Sequence, residues 1–296
     1  MKLLVTGATG LLGQHTVKLL RGIMSYEVFT TARSRHYDDG TLTIDLSKSE
    51  EVSRQLPQGL HCIIHLAAHV PPVEKNAEME TVLSNNTQAT MNLLEFAAKN
   101  NVKHFIYGSS IAVYGQNPSE RPLTEEDIPS PDNFYALSKL SGEILVNAYA
   151  VAYGIHIKIL RFSYIYGTGM REKTVLNKFI QLASNDEQIP LINQGRDTLN
   201  FIYVKDAAKA ILQAIQGDTD GVFNVGSSSS TSIRELAETI KHLLKSKSGI
   251  ESTEAISTLR VLCLSTDKAN KILKWNPQFD LTQGMQDYLQ ERKSFR

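Results

Sequence analysis

Short apolar runs alternate with longer amphipathic ones through the first 160 residues of the chain. Residues 2–6, 27–32, 42–44, 62–66, 103–107 and 156–160 are brief and rich in Val, Ile, Leu, Phe and Thr, which predicts strands. Residues 10–21, 47–56, 77–100 and 133–153 repeat their apolar positions at three- and four-residue steps, which predicts helices. Strands that alternate with helices build a parallel sheet covered on both faces, so the expected fold class is α/β with a doubly wound parallel sheet. Gly154 closes the 133–153 helix as a C-cap before the next strand.

Beyond about Gly167 the rhythm changes. Helices at 174–183 and from Ser232 and Leu281, with short segments near Leu191 and Phe201, predict a smaller substrate lobe over the C-terminal edge of the sheet. Residues 204–215 and 222–225 return to the first domain. The expected division is therefore discontinuous: 1–170 with 204–226 for the dinucleotide-binding domain, and 171–203 with 227–296 for the lobe. The serine run from Ser227 to Ser230 reads as a loop, because Thr231 or Ser232 supplies an N-cap and Glu235 is placed to complete a capping box.

The first strand runs into Gly7, Gly10 and Gly13, spaced three residues apart at the start of a helix. Gly7 permits a tight turn, Gly10 lets bare backbone approach a pyrophosphate, and Gly13 lets the helix pack closely on the sheet. An anion then sits on free N–H groups at the positive end of the helix dipole. A second feature lies at Tyr135 and Lys139, four residues apart on one helical face. An ammonium beside a phenol favours the phenolate and draws its pKa from about 10 toward the range of a working acid or base. Gly108, Ser109 and Ser110 follow a strand where parallel sheets build their sites, and a hydroxyl there is placed to bond the oxygen whose proton Tyr135 moves.

Taken in order, these pieces resemble an extended short-chain dehydrogenase/reductase of the NAD-dependent epimerase/dehydratase family, over nearly the whole length. Matching segments include His65 to Ala68, Asn86 with Asn92 to Leu94, Ser109 to Gly115, Leu160 to Gly167, Phe201 to Asp206 and Phe223 to Gly226. The resemblance implies a Rossmann-type fold, with Ser110 as the catalytic hydroxyl, Tyr135 as general acid/base and Lys139 as the residue that binds the ribose and tunes Tyr135. It implies a cofactor site of Gly7, Thr9, Gly10, Leu11, Gly13, Arg33, Asp45, Leu46, Leu66, Ala67, Ala68, Asn86 and Phe162, with Tyr135 and Lys139 at one end. In this family two long helices pair across a two-fold axis, so a homodimer is expected.

The cofactor is expected to be NADP or NAD. Arg33, with Arg35 as helper, follows the second strand where an acid marks NAD and an arginine accommodates a 2′-phosphate, so NADP is slightly preferred. Asp38 and Asp39 read as turn residues.

Departures from the family pattern narrow the chemistry. Dehydratases of this type carry Asp and Glu directly after the catalytic hydroxyl; here Ile111 and Ala112 stand there. The usual contacts to a substrate diphosphate are replaced by Tyr164 and by Leu199 with Asn200, and Arg260 is the basic residue left in the late segment. Ser110, Tyr164, Arg171, Arg196, Asn200 and Arg260 are therefore the candidate substrate contacts. The resemblance points to an epimerase or 4-keto reductase of a nucleotide sugar, which is the expected small-molecule substrate. The alternatives are an NADPH-dependent reductase of a small carbonyl compound and a non-catalytic dinucleotide-binding sensor.

Bulk properties add exclusions. Lys plus Arg equals Asp plus Glu at 31 each, so no global field steers the chain to nucleic acid or a membrane. Cys62 and Cys263 lie in apolar runs and supply neither metal-ligand spacing nor a disulfide framework. With no signal-like or membrane-length apolar stretch, a cytoplasmic protein is expected.

Overall fold

Residues 1–34, 40–71, 79–116, 121–253 and 261–294 are described by the structure, a computed structural model of the chain. The first half alternates: β1 (Lys2–Thr6), α1 (Leu11–Arg21), β2 (Glu27–Ala32), β3 (Thr41–Thr43), α2 (Ser49–Gln55), β4 (Cys62–His65), α3 (Met79–Leu83), α4 (Ala89–Lys99), β5 (His104–Ser110), α5 (Phe134–Tyr153) and β6 (His156–Phe162). The second half is more broken: β7 (Tyr164–Tyr166), α6 (Val175–Ser184), β8 (Ile189–Ile192), β9 (Thr198–Leu199), β10 (Phe201–Tyr203) and α7 (Val204–Gln216). It ends with β11 (Gly221–Val225), β12 (Thr231–Ser232), α8 (Ile233–Leu244), β13 (Ile250–Thr253), α9 (Asp267–Leu273) and α10 (Leu281–Ser294).

Seven strands form one sheet in the order β11-β6-β5-β4-β1-β2-β3, with every pairing parallel. Successive residues of a strand face opposite sides, and here both sides are covered: Leu3, Leu4, Val5, Ile63 and Ile64 are all fully buried. That is why the strands read as continuous apolar runs rather than as alternating ones. On one face α1, α7 and α9 enclose Leu3, Val5, Ile64, Ile106 and Phe223; on the other α2, α4 and α5 enclose Leu4, Ile63, Phe105 and Ile159. Each such side chain stabilises the fold by about 1.5–3 kcal/mol relative to exposure. The strand order reverses between β2 and β4 around β1, which opens a crevice at the carboxyl ends of the strands.

The lobe has its own core, in which Phe179 and Ile180 of α6 meet Leu236 and Ile240 of α8 and Tyr288 of α10. Ser232 and Glu235 form a full capping box at the start of α8. The chain returns to the sheet twice after entering the lobe. β11 pairs with β6, and Trp275, just after α9, sits in the sheet core with its indole N–H donating to the Asp206 carbonyl at 3.1 Å.

Two local departures from regular geometry set up the site. The 77–100 pattern reads as one helix, but Ser84–Gln88 form a π-helical turn between α3 and α4. Side-chain bonds explain it: Asn86 exchanges two hydrogen bonds with the His69 peptide, and the Thr90 hydroxyl donates to the Asn86 carbonyl at 2.7 Å. The second is Gly142 on α5, where a Cβ would lie 2.1 Å from the Tyr107 hydroxyl. Only a bare backbone lets α5 cross β5 this closely.

Candidate active site

The glycine turn is shaped by packing at two of its three glycines. A Cβ on Gly7, whose φ is +69°, would lie 2.6 Å from the Ala67 nitrogen, and one on Gly13 would lie 2.0 Å from the Gly7 carbonyl oxygen. At Gly10 a Cβ would sit a tight 3.3 Å from the Gly7 oxygen but would meet no other atom within 4 Å, so the rest of this position is open. Gly10 is also the N-cap of α1, and no side chain caps the helix there. The uncapped N–H groups suit a pyrophosphate.

A cleft of about 260 Å³ opens at the strand switch point, lined by Gly7, Thr9, Gly10, Arg33, Leu46, Leu66, Ala67, Ala68 and Arg171 among others. Sequence reasoning did not reach Thr31, Ser47, His69 and Asn85, which also line it. Asn85 accepts from Arg33 Nη2 at 2.5 Å, a contact between residues 52 apart with no local signal. Ser47 was within reach, because its amide and hydroxyl bond the Asp45 carboxylate in a two-residue Asx-type turn.

Several residues expected at the cofactor are turned elsewhere. The Asp45 carboxylate closes that turn, and the Ser47 bonds hold its pKa below the usual carboxylate value. Asn86 is buried, with its amide committed to the His69 peptide and the Ser138 hydroxyl. Phe162 belongs to the sheet core, Gly13 packs on the Gly7 carbonyl, and the Leu11 side chain packs toward the lobe core. Arg35 lies outside the described residues.

Ser110, Tyr135 and Lys139 converge from two elements. Ser110 ends β5 and accepts the Ala112 amide at 3.1 Å, which fixes its hydroxyl. That hydroxyl faces the Tyr135 phenol and favours its ionised form. Tyr135 lies in the first turn of α5, whose N-cap Asn133 accepts from the Ala136 amide. Lys139, one turn on, is buried; its ammonium donates to the Gly108 carbonyl at 2.7 Å and lies 5.0 Å from the centre of the Tyr107 ring.

The electrostatics correct one expectation. Burial raises the Tyr135 phenol above its ordinary value, opposed first by the Ser110 hydrogen bond and then by the Arg171 charge. Lys139, whose ammonium is directed to the Gly108 carbonyl, is not among the groups that shift the phenol here. Burial pushes Lys139 itself down to about 8, with Glu143 pulling the other way. Beneath these groups Glu143 of α5 receives Arg161 of β6 through Nη2 at 2.7 Å and Nε at 3.0 Å, and Ser109 Oγ at 2.5 Å.

The substrate-side expectations divide. Arg171 lines the cleft and donates to the Val70 carbonyl at 2.9 Å. Tyr164 is 40% exposed on β7, its ring 6.0 Å from that of Phe201. Asn200, by contrast, is fully buried and binds the Ser227 amide and the Ser227 and Ser229 carbonyls, so it fastens a loop. Arg196 is exposed and its Nε folds back to the Asn193 carbonyl at 3.4 Å. Arg260 lies outside the described residues. Among the described residues no cluster of His, Cys, Asp and Glu could hold a metal ion, and no helix is long and apolar enough to cross a membrane.

A switch-point crevice, a glycine turn with room at its centre and a Ser–Tyr–Lys set beside it define a dinucleotide-dependent enzyme of the extended short-chain dehydrogenase/reductase class. The chain belongs to the NAD dependent epimerase/dehydratase family, whose model matches residues 3–226. It is 28% identical to a putative UDP-glucose 4-epimerase of Methanocaldococcus jannaschii, over 96% of this chain and 95% of that one. It is 27% identical to UDP-glucuronic acid decarboxylase 6 of Arabidopsis thaliana, over 96% of this chain and 87% of the relative. Among solved structures, UDP-glucose 4-epimerase of Thermotoga maritima with UDP-glucose superposes with a TM-score of 0.91 at 25% identity, covering 100% of both chains.

One acid-linked group at the site has a clear sign. Burial, with the Lys139 charge second, lowers the pKa of the His65 imidazole from 6.5 to about 3. The folded chain therefore binds fewer protons here than the unfolded chain below about pH 6.5. The associated stability is complete above that value and declines by up to about 1.4 kcal/mol per pH unit as pH falls toward 3. Urea midpoints at pH 7 and pH 5 should drop more steeply in the wild type than in His65→Gln; parallel drops would refute the assignment.

Proposed function

We propose that the protein is a nucleotide-sugar 4-epimerase or 4-keto reductase, acting at a secondary alcohol or ketone carbon. The observation that carries this reading is the convergence of Ser110, at the end of β5, on Tyr135, with Lys139 one turn on along α5, and with Ile111 and Ala112, which hold no ionisable group, directly after Ser110. Bound nicotinamide dinucleotide would supply the hydride acceptor and donor. Tyr135 takes the proton of the reacting hydroxyl and returns it, while Ser110 holds the same oxygen. Without acids at positions 111 and 112 the chain has no group there to deprotonate a neighbouring carbon, which disfavours a 4,6-dehydratase. The similarity to 4-epimerases supports the same choice. Arg171 and Tyr164 are the described residues best placed to meet the substrate.

Replacing Tyr135 by Phe should lower turnover by about 10²-fold or more, as loss of a general acid/base does, with NAD⁺ affinity retained. Unchanged turnover would remove the catalytic assignment. Sustained conversion without added cofactor marks an epimerase, and stoichiometric loss of reduced cofactor marks a reductase.

The preference for NADP rests on Arg33, which lines the cleft with its guanidinium on Asn85. Arg33→Ala should weaken NADP⁺ by about tenfold more than NAD⁺, the worth of one charge-assisted phosphate contact. Equal losses would show that Arg33 meets no 2′-phosphate.

The homodimer reading has a surface to match it. Leu137, Ile144 and Val151 stand exposed at seven-residue intervals along α5, a seam suited to a second helix pair. Light scattering should give twice the chain mass, and a monomer at all concentrations would defeat this reading.

A further inference from the structure

His65 is almost fully buried at the end of β4, and both ring nitrogens are engaged. Nδ1 lies 2.7 Å from Thr6 Oγ1 and Nε2 lies 3.1 Å from Thr90 Oγ1. Counting protons settles the direction of every bond. Thr90 Oγ1 is 2.7 Å from the Asn86 carbonyl oxygen, and two oxygens that close need a proton between them, so the Thr90 proton is spent there. Thr90 must then accept from Nε2–H. Nδ1 is left as an acceptor and takes the Thr6 hydroxyl proton, which frees Thr6 Oγ1 to accept the Ala67 amide at 3.2 Å.

The circuit continues beyond Thr90. Asn86 Nδ2 donates to Ser138 Oγ at 2.9 Å, and Ser138 donates to the Tyr135 carbonyl at 2.8 Å. Thr6 precedes Gly7, and Gly7 and Ala67 both line the cleft. Two directed runs of hydrogen bonds, joined through the covalent frame of Asn86, thus lead from the edge of the glycine turn, by way of the β4 exit loop and the π-helical turn, to the turn bearing Tyr135.

We propose that His65 is a positioning residue: a neutral imidazole protonated on Nε2 that sets the β4 exit loop and the glycine turn in register with the catalytic turn of α5. An imidazole suits this place because it accepts and donates at opposite ends of a rigid ring, and burial with Lys139 nearby keeps it uncharged across the working range. Tyr107 and Phe105 wall the ring, with centroids 5.8 Å and 6.2 Å away. No member of the chain needs to touch a reacting atom.

The proposal rests on the cofactor half of the reading above and not on the substrate. ¹⁵N-imidazole spectra of the wild type, with His65 assigned by its absence in His65→Gln, should show a neutral Nε2–H tautomer from pH 8 to pH 5. An Nδ1–H tautomer, or an imidazolium in that range, would overturn the relay. Calorimetric titration with NAD⁺ should show Thr90→Val weakened about tenfold, as for one lost buried hydrogen bond, and Thr90→Ser within about twofold of wild type. Wild-type affinity in Thr90→Val, or equal loss in both variants, would also overturn it. A wild type that takes up no NAD⁺ would count against the cofactor reading, while the imidazole spectrum still decides the relay.

Discussion

The ion pair between Glu143 and Arg161 holds α5 to the sheet. It is nearly dry, with both side chains about 5% exposed or less, and Arg161 uses Nη2 and Nε on the carboxylate and Nη1 on the Tyr114 hydroxyl. Tyr114 in turn meets Asn224 of β11. One carboxylate on α5 is therefore linked to the ends of β5, β6 and β11. Such a pair adds little net stability over apolar packing, but removing one partner strands a buried charge at about 3–5 kcal/mol. Its role is to fix where α5 lies, and with it the positions of Lys139 and Tyr135, one and two turns nearer the helix start.

What was legible in the sequence is what depends on neighbours along the chain. Strand runs, the amphipathic period of α1 and α5, the capping box at Ser232 and the strain at Gly7 all follow from residues within a few positions of one another. The three glycines were legible as a turn, but which of them leaves room depended on Ala67, a residue some 60 positions away. Asn86, Asn200 and Asp45 show the limit: each is polar, and each sits where a family ligand contact is expected. In the folded chain each accepts a hydrogen bond from a backbone amide of a neighbouring loop. A single sequence does not separate an amide that serves a ligand from one that serves a loop.

The direction of Lys139 was equally hidden. Its place one turn after Tyr135 puts the two side chains on one face, yet Gly108 offers a carbonyl within reach and Gly142 lets Tyr107 come up beneath the ammonium. The missing Cβ at position 142 thus bears on the chemistry as well as on the packing. It lets an aromatic face approach a cation that also donates to the Gly108 carbonyl, and whose pKa burial lowers to about 8 against the opposing pull of Glu143.

The return of the chain to the sheet has a consequence for biogenesis. β11 closes the edge beside β6, but some 58 residues, part of the lobe and α7 among them, separate the two strands. During synthesis the backbone of β6 must wait with one row of N–H and C=O groups unpaired until the lobe has emerged and β11 arrives. A waiting parallel edge is slow to close and open to the wrong partner. The lobe is thereby also the timer on completion of the sheet.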